Sequence, residues 1–338
     1  MTPQTLVVNV DPLNPEREAI SRAAEIIRAG GLVAFPTETV YGLGADALNP
    51  RAVKKIFVAK GRPLDNPIIV HVADLGQLKV LANSVGAEAV ALAERFWPGP
   101  LTLVLRKSAR VPDTVTAGQE TVAVRMPRNN VALALIRASG VPIAAPSANL
   151  SQRPSGTTGM HVFHDLAGRI DLVLDAGPVE IGVESTVLDI STQPPTILRP
   201  GAVTAEELEG ILGRVVLGGR AELLKRSPGT RYRHYSPKAR VSLVRQESQE
   251  EVARLLEQQV KAGRKVGVMT CRPDSYRGRR GVVVAAMSQD VKEYARRMFA
   301  VLRELDEAGV DEIMVEEVEE SGIGVAIMDR LRRAASDK

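Results

Sequence analysis

Apolar positions follow a helical period in several stretches of the first 240 residues and settle into regular strand-helix alternation afterwards. Ala19, Ile20, Ala23, Ala24 and Ile27 share one helical face, in a segment opened by Asn14-Pro15 and running to about Arg28, where Gly30-Gly31 stops it. Leu32–Phe35 is a short apolar run of strand length that ends at Pro36. Asn49-Pro50 places a capping amide before a proline at the first helical position, and predicts a helix over Pro50–Lys60 with Val53, Ile56 and Phe57 inward. Pro67–Val72 is almost wholly apolar, as a strand covered on both faces would be. Helices are expected over Leu75–Ala82 and Ala87–Phe96, the second stopped by Trp97-Pro98-Gly99-Pro100. Leu101–Arg106 and Thr121–Arg125 read as strands, Asn130–Ala138 as a helix and Pro142–Ala145 as a short strand. Strand signals recur at Leu172–Leu174, Ser185–Ile190 and Thr196–Leu198.

After a basic stretch at Lys225–Arg240, the order is strand Val241–Val244, helix Glu247–Ala262, strands Lys265–Met269 and Gly281–Ala285, helix Asp290–Glu307, strand Ile313–Glu316 and a helix near Val325–Ala334. That alternation predicts a small Rossmann-like parallel α/β domain at 241–338. The irregular order before it predicts an α/β domain with a twisted mixed sheet at 1–220, joined through a basic linker at 221–240 that is expected to fold as a lid over the first domain's pocket. A length of 338 residues suits two domains. Within Lys225–Arg240 there are basic side chains, two Tyr, two Pro and one Gly but no acid, the composition of a semi-extended segment.

Composition narrows the chemistry. One cysteine among 338 residues excludes an internal disulfide framework and a cysteine-based metal site. No run approaches the roughly 18 apolar residues of a membrane helix, and the first residues lack the basic-then-apolar order of a signal peptide, so cytoplasm is the expected compartment. The net charge is +4, compatible with an anionic partner. Aromatics make up 3%, too few for base-stacking platforms, so direct RNA contact is secondary to another function.

The polar clusters each have an ordinary structural reading beside a functional one. Gly42-Leu43-Gly44-Ala45-Asp46-Ala47 fits a dinucleotide fingerprint, but six residues separate it from the strand, and its helix begins only near Pro50. Its glycines would let backbone N–H groups approach a ligand closely. Lys60-Gly61-Arg62, followed by Asn66, is either helix-end charge plus a turn or a phosphate clamp, with Arg62 as the fork and Lys60 as the point charge. Arg125 ends an apolar strand, a position that suits a substrate carboxylate as well as solvent. His71 lies mid-strand and could be a core histidine; His161 and His164 stand three apart on a predicted helix without a third zinc ligand at a recognisable spacing. Ser147 and Ser185 supply small hydroxyls at strand ends. No nucleophile–base arrangement stands out. A nicotinamide site on the C-terminal alternation is disfavoured because its first turn, Val244-Arg245-Gln246-Glu247, has no glycine.

The stretches PTETVYGLG, KGRPLDNPIIVH, WPGPLTLVL, VAVRMP, PSANLS, VESTVLDI, ILRPG and SPGTRYRHYSP, in this order, resemble the threonylcarbamoyl-AMP synthases of the long, two-domain type. The similarity extends to Gly322–Arg332. It implies a YrdC-like catalytic domain with a Rossmann-like extension, and the conversion of L-threonine, bicarbonate and ATP to L-threonylcarbamoyladenylate and pyrophosphate. Partner enzymes would then transfer the threonylcarbamoyl group to tRNA next to the anticodon. The same resemblance assigns threonine to Thr39, His71, Arg125 and Ser185 with the backbone around Ala145. It assigns ATP to Lys60, Arg62, Asn66, Thr121, Ser147, Ser155, Arg199 and Tyr235. Mg²⁺ is expected to arrive with ATP, and no general base is required; Lys60 and Arg62 would stabilise charge. The chain departs from the family pattern at Gln152, where glycine is usual, at Gly156, where proline is usual, and at Asp329, where asparagine is usual.

Overall fold

The computed structural model describes residues 4–218, 225–227, 235–245 and 249–336, without the side chains of 249–251. The chain divides into two compact units: residues Gln152–Pro154 and Ile181–Val183 group with Tyr235 and everything after it, and the remaining described residues form the first unit. Much of the expected linker, together with residues 246–248, lies outside the described residues.

Eleven strands of the first unit stand side by side: β1 (Leu6–Asn9), β8 (Leu172–Asp175), β2 (Val33–Phe35), β3 (Gly42–Asp46), β7 (Ile143–Ala144), β4 (Val70–His71), β6 (Thr121–Arg125), β5 (Leu101–Arg106), β9 (Thr186–Asp189), β10 (Thr196–Arg199) and β11 (Val216–Leu217). The pairing is mixed. β1–β8, β8–β2, β4–β6, β5–β9 and β10–β11 are parallel, and the other neighbours are antiparallel. The helices of this unit are α1 (Arg17–Arg28), α2 (Pro50–Lys60), α3 (Leu75–Leu81), α4 (Ala87–Phe96), α5 (Asp113–Thr116), α6 (Asn130–Ser139), α7 (Gly159–Leu166) and α8 (Ala205–Leu212). The apolar face read from the sequence on α1 is the one buried: Ile20, Ala23, Ala24 and Ile27 join the core, and α1 packs against α6.

One local expectation is overturned. The glycine-bearing stretch Gly42–Asp46 is a strand, not a ligand loop. A Cβ on Gly44 would stand 2.8 Å from both Ile143 Cγ2 and Phe35 Cε1, and one on Gly42 would stand 3.3 Å from Ala145 Cβ. These glycines let Phe35 and β7 pack flat on β3. The loop between β2 and β3 is therefore shorter, Pro36–Tyr41. Its far end is anchored by the buried Tyr41, whose hydroxyl donates to Gly177 O at 2.7 Å and to Asp175 Oδ1 at 3.1 Å.

The second unit has a four-stranded parallel sheet in the order β12 (Arg240–Val244), β15 (Glu312–Glu316), β13 (Val266–Thr270), β14 (Val282–Ala286). Its helices are α9 (Gln249–Lys261), α10 (Val291–Glu307) and α11 (Gly324–Ala335). Val244, Val252, Leu256, Val266, Val268, Tyr276 and Met314 form a core there. This is the Rossmann-like alternation expected, and because all four strands run the same way their carboxyl ends open on one edge.

Gln152 adopts φ 75°, in the left-handed region, where the family resemblance sets glycine. A side chain costs about 1–2 kcal/mol there, partly offset by the extra freedom glycine has when unfolded. Gln152→Gly is accordingly expected to raise unfolding stability by about 0.5–1 kcal/mol in urea titrations.

Candidate active site

Three segments converge from the first unit. The first is the loop Pro36–Tyr41 after β2. The second is the end of α2, a helix capped at its start by Asn49, which accepts from Arg51 N at 3.0 Å and Ala52 N at 3.2 Å, and closed at its end by Gly61 at φ 62°. The third is the central trio β7, β4 and β6, whose register sets His71 beside both Arg125 and Ile143.

Arg125 is the hub of the first cluster. Its side chain is buried, Nη1 donates to Thr39 Oγ1 at 2.9 Å, and Nε donates to Gly99 O at 3.2 Å. Nη2 faces Glu38 Oε2 at 2.6 Å in an ion pair without hydrogen-bond alignment. Glu38 is itself 2% exposed, and neither carboxylate oxygen has a hydrogen-bond partner. Thr37 and Thr39 share a 2.9 Å hydroxyl contact that holds Thr39 toward the guanidinium. His71 packs edge-on to Phe35, 6.1 Å between centroids, and its Nδ1 is buried without a partner. Burial, followed by the nearby Arg125 charge, pushes the imidazole down to about 3. His71 is thus neutral near pH 7 and available as a hydrogen-bonding group rather than as a cation.

That depression has a consequence for stability. Below the ordinary imidazole value of 6.5 the unfolded chain takes up a proton that folded His71 refuses. His71 therefore adds nothing to the pH dependence above pH 6.5 and destabilises progressively as pH falls from there toward 3, by up to about 1.4 kcal/mol per pH unit. His71→Gln should show a shallower loss of urea stability between pH 6.5 and pH 5 than the natural chain; equal slopes would contradict the assignment.

The second cluster joins β9 and β10. Arg199, buried, donates through Nη2 to Ser185 O at 3.0 Å and Ser185 Oγ at 3.2 Å, and Ser185 Oγ meets Thr102 Oγ1 at 2.8 Å. Ser155 Oγ donates to Glu184 Oε1 at 2.5 Å, one residue before Ser185. The third cluster lies at the end of α2. Lys60 is buried at the helix terminus and donates to the carbonyls of Ser147 and Asn149, pinning the loop after β7. Arg62 Nη2 donates to Pro67 O at 2.9 Å. Asn66 is fully buried, and neither atom of its amide has a hydrogen-bond partner.

Thr39, His71 and Arg125 are therefore brought together, as are Ser185 with Arg199, Lys60 with Ser147, and Arg62 with the Asn66–Pro67 backbone. Ala145 donates its N–H to Ile69 O at 2.9 Å, next to this group. Thr121 opens β6, opposite Arg106. Tyr235 belongs to the second unit, where its ring stacks on Phe299 at 5.2 Å. Sequence reasoning missed Glu38 and Glu184. The available signal was an acid set in a stretch otherwise made of apolar and small residues. His161 is committed to a local turn: its Nδ1 lies 3.2 Å from Thr157 Oγ1. A cavity of about 230 Å³ opens beside Thr37 and Glu38, bordered also by Arg128 and Gly177, and none of the residues assigned above to threonine or ATP lines it.

Comparison with known proteins adds the following. The family Sua5_yciO_yrdC, described as telomere recombination, matches residues 25–201, and the family described as threonylcarbamoyl-AMP synthase, C-terminal domain, matches residues 203–336. The threonylcarbamoyl-AMP synthase of Pyrococcus abyssi is 48% identical, over 98% of each chain. That of Bacillus subtilis is 46% identical, over 97% of this chain and 96% of the relative. The crystal structure of P. abyssi Sua5 complexed with L-threonine superposes with a TM-score of 0.92 at 47% identity, covering 98% of each chain.

Proposed function

The chain belongs to the threonylcarbamoyl-AMP synthase family, and from that premise we propose how its buried side chains divide the work. The activity is that of the family, formation of L-threonylcarbamoyladenylate, the first step of threonylcarbamoyladenosine modification of tRNA.

Threonine is held by Thr39, His71, Arg125 and Ser185 with the backbone near Ala145. Arg125 takes the carboxylate and the neutral imidazole of His71 a hydrogen bond. ATP is held by Lys60, Arg62, Asn66, Thr121, Ser147, Ser155 and Arg199, and Tyr235 is added on the family resemblance. The observation that carries this reading is a pair of buried polar groups left without hydrogen-bond partners: the amide of Asn66 and Nδ1 of His71. A protein interior rarely leaves such groups unmade, since each costs about 1–3 kcal/mol. Substrate atoms would satisfy them.

The threonine amine and bicarbonate condense to a carbamate, a C–N bond forming as a C–O bond of bicarbonate breaks and its oxygen leaves as water. One carbamate oxygen then attacks the α-phosphorus while the bond to the pyrophosphate oxygen breaks, so a P–O bond forms as a P–O bond is lost. The nucleophile is already anionic and needs no strong base. The chain supplies alignment and fixed positive charge in a pocket shielded from water. Backbone carbonyls hold Lys60 and Arg62 in place before substrate arrives, so little reorganisation accompanies the developing charge. ATP enters as its magnesium complex, the ion being carried by phosphate oxygens. Among the described residues no group of three or more His, Cys, Asp or Glu is placed to hold a metal. The basic stretch 221–240 is assigned to nucleotide retention; truncation after Thr204 should abolish turnover. Transfer to tRNA falls to downstream enzymes, and no described helix is long and apolar enough to cross a membrane.

Mass spectrometry of the product from ATP, threonine and labelled bicarbonate tests the reaction: the label should appear in a threonylcarbamoyladenylate ion. Its absence, with ATP consumed, would overturn the carbamate route. Discrimination tests the pocket. Valine should be rejected by more than the roughly 10–200-fold of a methylene-sized preference, since a site that pairs the threonine hydroxyl is left unsatisfied by the isostere. Comparable ATP consumption with valine would contradict that.

A further inference from the structure

The loop between β2 and β3 carries three polar side chains in a row, Thr37, Glu38 and Thr39, of which Thr39 alone is assigned to a substrate. Thr37 is buried and ties the loop together. Its Oγ1 donates to Val40 O at 2.6 Å and accepts from the N–H groups of Thr39 at 3.2 Å and Val40 at 3.3 Å. This local turn fixes the direction of the contacts beyond it. A hydroxyl has one hydrogen, and a carbonyl oxygen can only accept, so the Thr37 hydrogen is committed to Val40 O. The 2.9 Å contact between the two threonine hydroxyls is then donated by Thr39. A guanidinium has no acceptor, so in its 2.9 Å contact with Arg125 Nη1 the Thr39 oxygen accepts. The donor order runs from Arg125 to Thr39, from Thr39 to Thr37, and from Thr37 to Val40 O. Thr39 is left with its hydrogen committed and one lone pair to offer.

From this order we infer that Thr37 is a positioning residue that makes Thr39 an acceptor only, and that the group Thr39 accepts from is the hydroxyl of the substrate threonine. This polarity builds on the assignment of Thr39 and Arg125 to threonine. An oxygen that can only accept has nothing to give the substrate carboxylate, which goes to the donors of Arg125. Threonine has two donors to set against Thr39. The amine gives up hydrogens as the carbamate forms, whereas the hydroxyl keeps its hydrogen throughout. Valine puts a methyl in place of that hydroxyl and leaves the Thr39 lone pair buried and unpaired. Thr37 therefore sets the choice between the two amino acids without touching either.

The test uses the full-length protein, with adenylate formation followed at saturating ATP and L-valine added as a competitor of threonine. Thr37→Val should raise the threonine KM about tenfold, the scale of one misdirected hydrogen bond, while kcat and the inhibition constant of valine stay within about threefold. Thr37→Ser returns the hydroxyl and should bring the threonine KM back to within about threefold of the natural value. Thr37→Ala carries the same comparison if Thr37→Val does not fold. A loop that had merely slackened would weaken threonine and valine together, and that result overturns the proposal. An unchanged threonine KM in the variant without the hydroxyl overturns it too, as does Thr37→Ser being as impaired as Thr37→Val. Thr39→Val separates the two levels of the assignment. If it raises the threonine KM and Thr37→Val does not, the role of Thr37 alone falls; if Thr39→Val leaves the threonine KM unchanged, the placing of threonine on Thr39 falls with it.

Discussion

Arg125→Ala should raise the threonine KM between about 30-fold and several-thousand-fold while leaving the ATP KM near its natural value. The range follows from the 2–5 kcal/mol typically lost when one partner of a buried, hydrogen-bonded charge pair is removed, at 1.4 kcal/mol per tenfold. The same change strands Glu38, whose carboxylate is 2% exposed and faces the guanidinium at 2.6 Å. Breaking a buried pair costs about 3–5 kcal/mol of stability, enough to confuse a kinetic result with a folding defect. The double variant Arg125→Ala, Glu38→Gln separates the two. Neutralising Glu38 should recover much of the melting temperature, but none of the threonine affinity, because the carboxylate partner is still missing. A double variant that recovered threonine use would show that Arg125 serves only to neutralise Glu38.

Arg62→Ala is expected to lower kcat/KM for ATP by roughly 10²–10³, the scale for losing one preorganised donor to a charge that develops in the transition state. The guanidinium is held against Pro67 O at 2.9 Å and sits two residues beyond the α2 terminus that places Lys60. Lysine should not rescue it. An ammonium cannot reproduce a planar fork that contacts the backbone and a phosphate together. The KM for threonine, measured at saturating ATP, should move less than threefold. If Arg62→Lys restored full activity, the guanidinium's shape would be irrelevant and the clamp assignment would fail.

How much of this was legible before the fold was known varies by element. The α1 face, the Asn49 cap and the strands that end at Phe35 and Arg125 follow from spacing and capping chemistry, which are local. β3 was not legible. Its glycines are poor strand formers in isolation, and only the presence of Phe35 and Ile143 on either side explains them. β1 was missed for a similar reason: four residues with alternating exposure acquire a structure only by pairing with β8. For the site, the positive groups stood out, because Lys and Arg are unusual beside apolar strands. Glu38 did not, because its significance is its distance to a residue 87 positions away in the chain, and no periodicity encodes that. The orphan amide of Asn66 is likewise a fact of three-dimensional satisfaction, invisible to any count of residue types.

Among the described residues the edge strand β1 pairs only with β8, and the two meet with Leu6 opposite Leu172. Thr5 reaches the same neighbourhood, donating to Ile170 O across 165 positions. A ribosome therefore releases the N-terminal segment long before its docking partner exists. Until then a short strand waits with its backbone donors and acceptors on offer to any other nascent chain. The hairpin of β2 with β3 closes within a dozen residues by comparison, so assembly should proceed outward from there and finish at this margin, which makes the margin the first place to look for slow maturation or chaperone dependence.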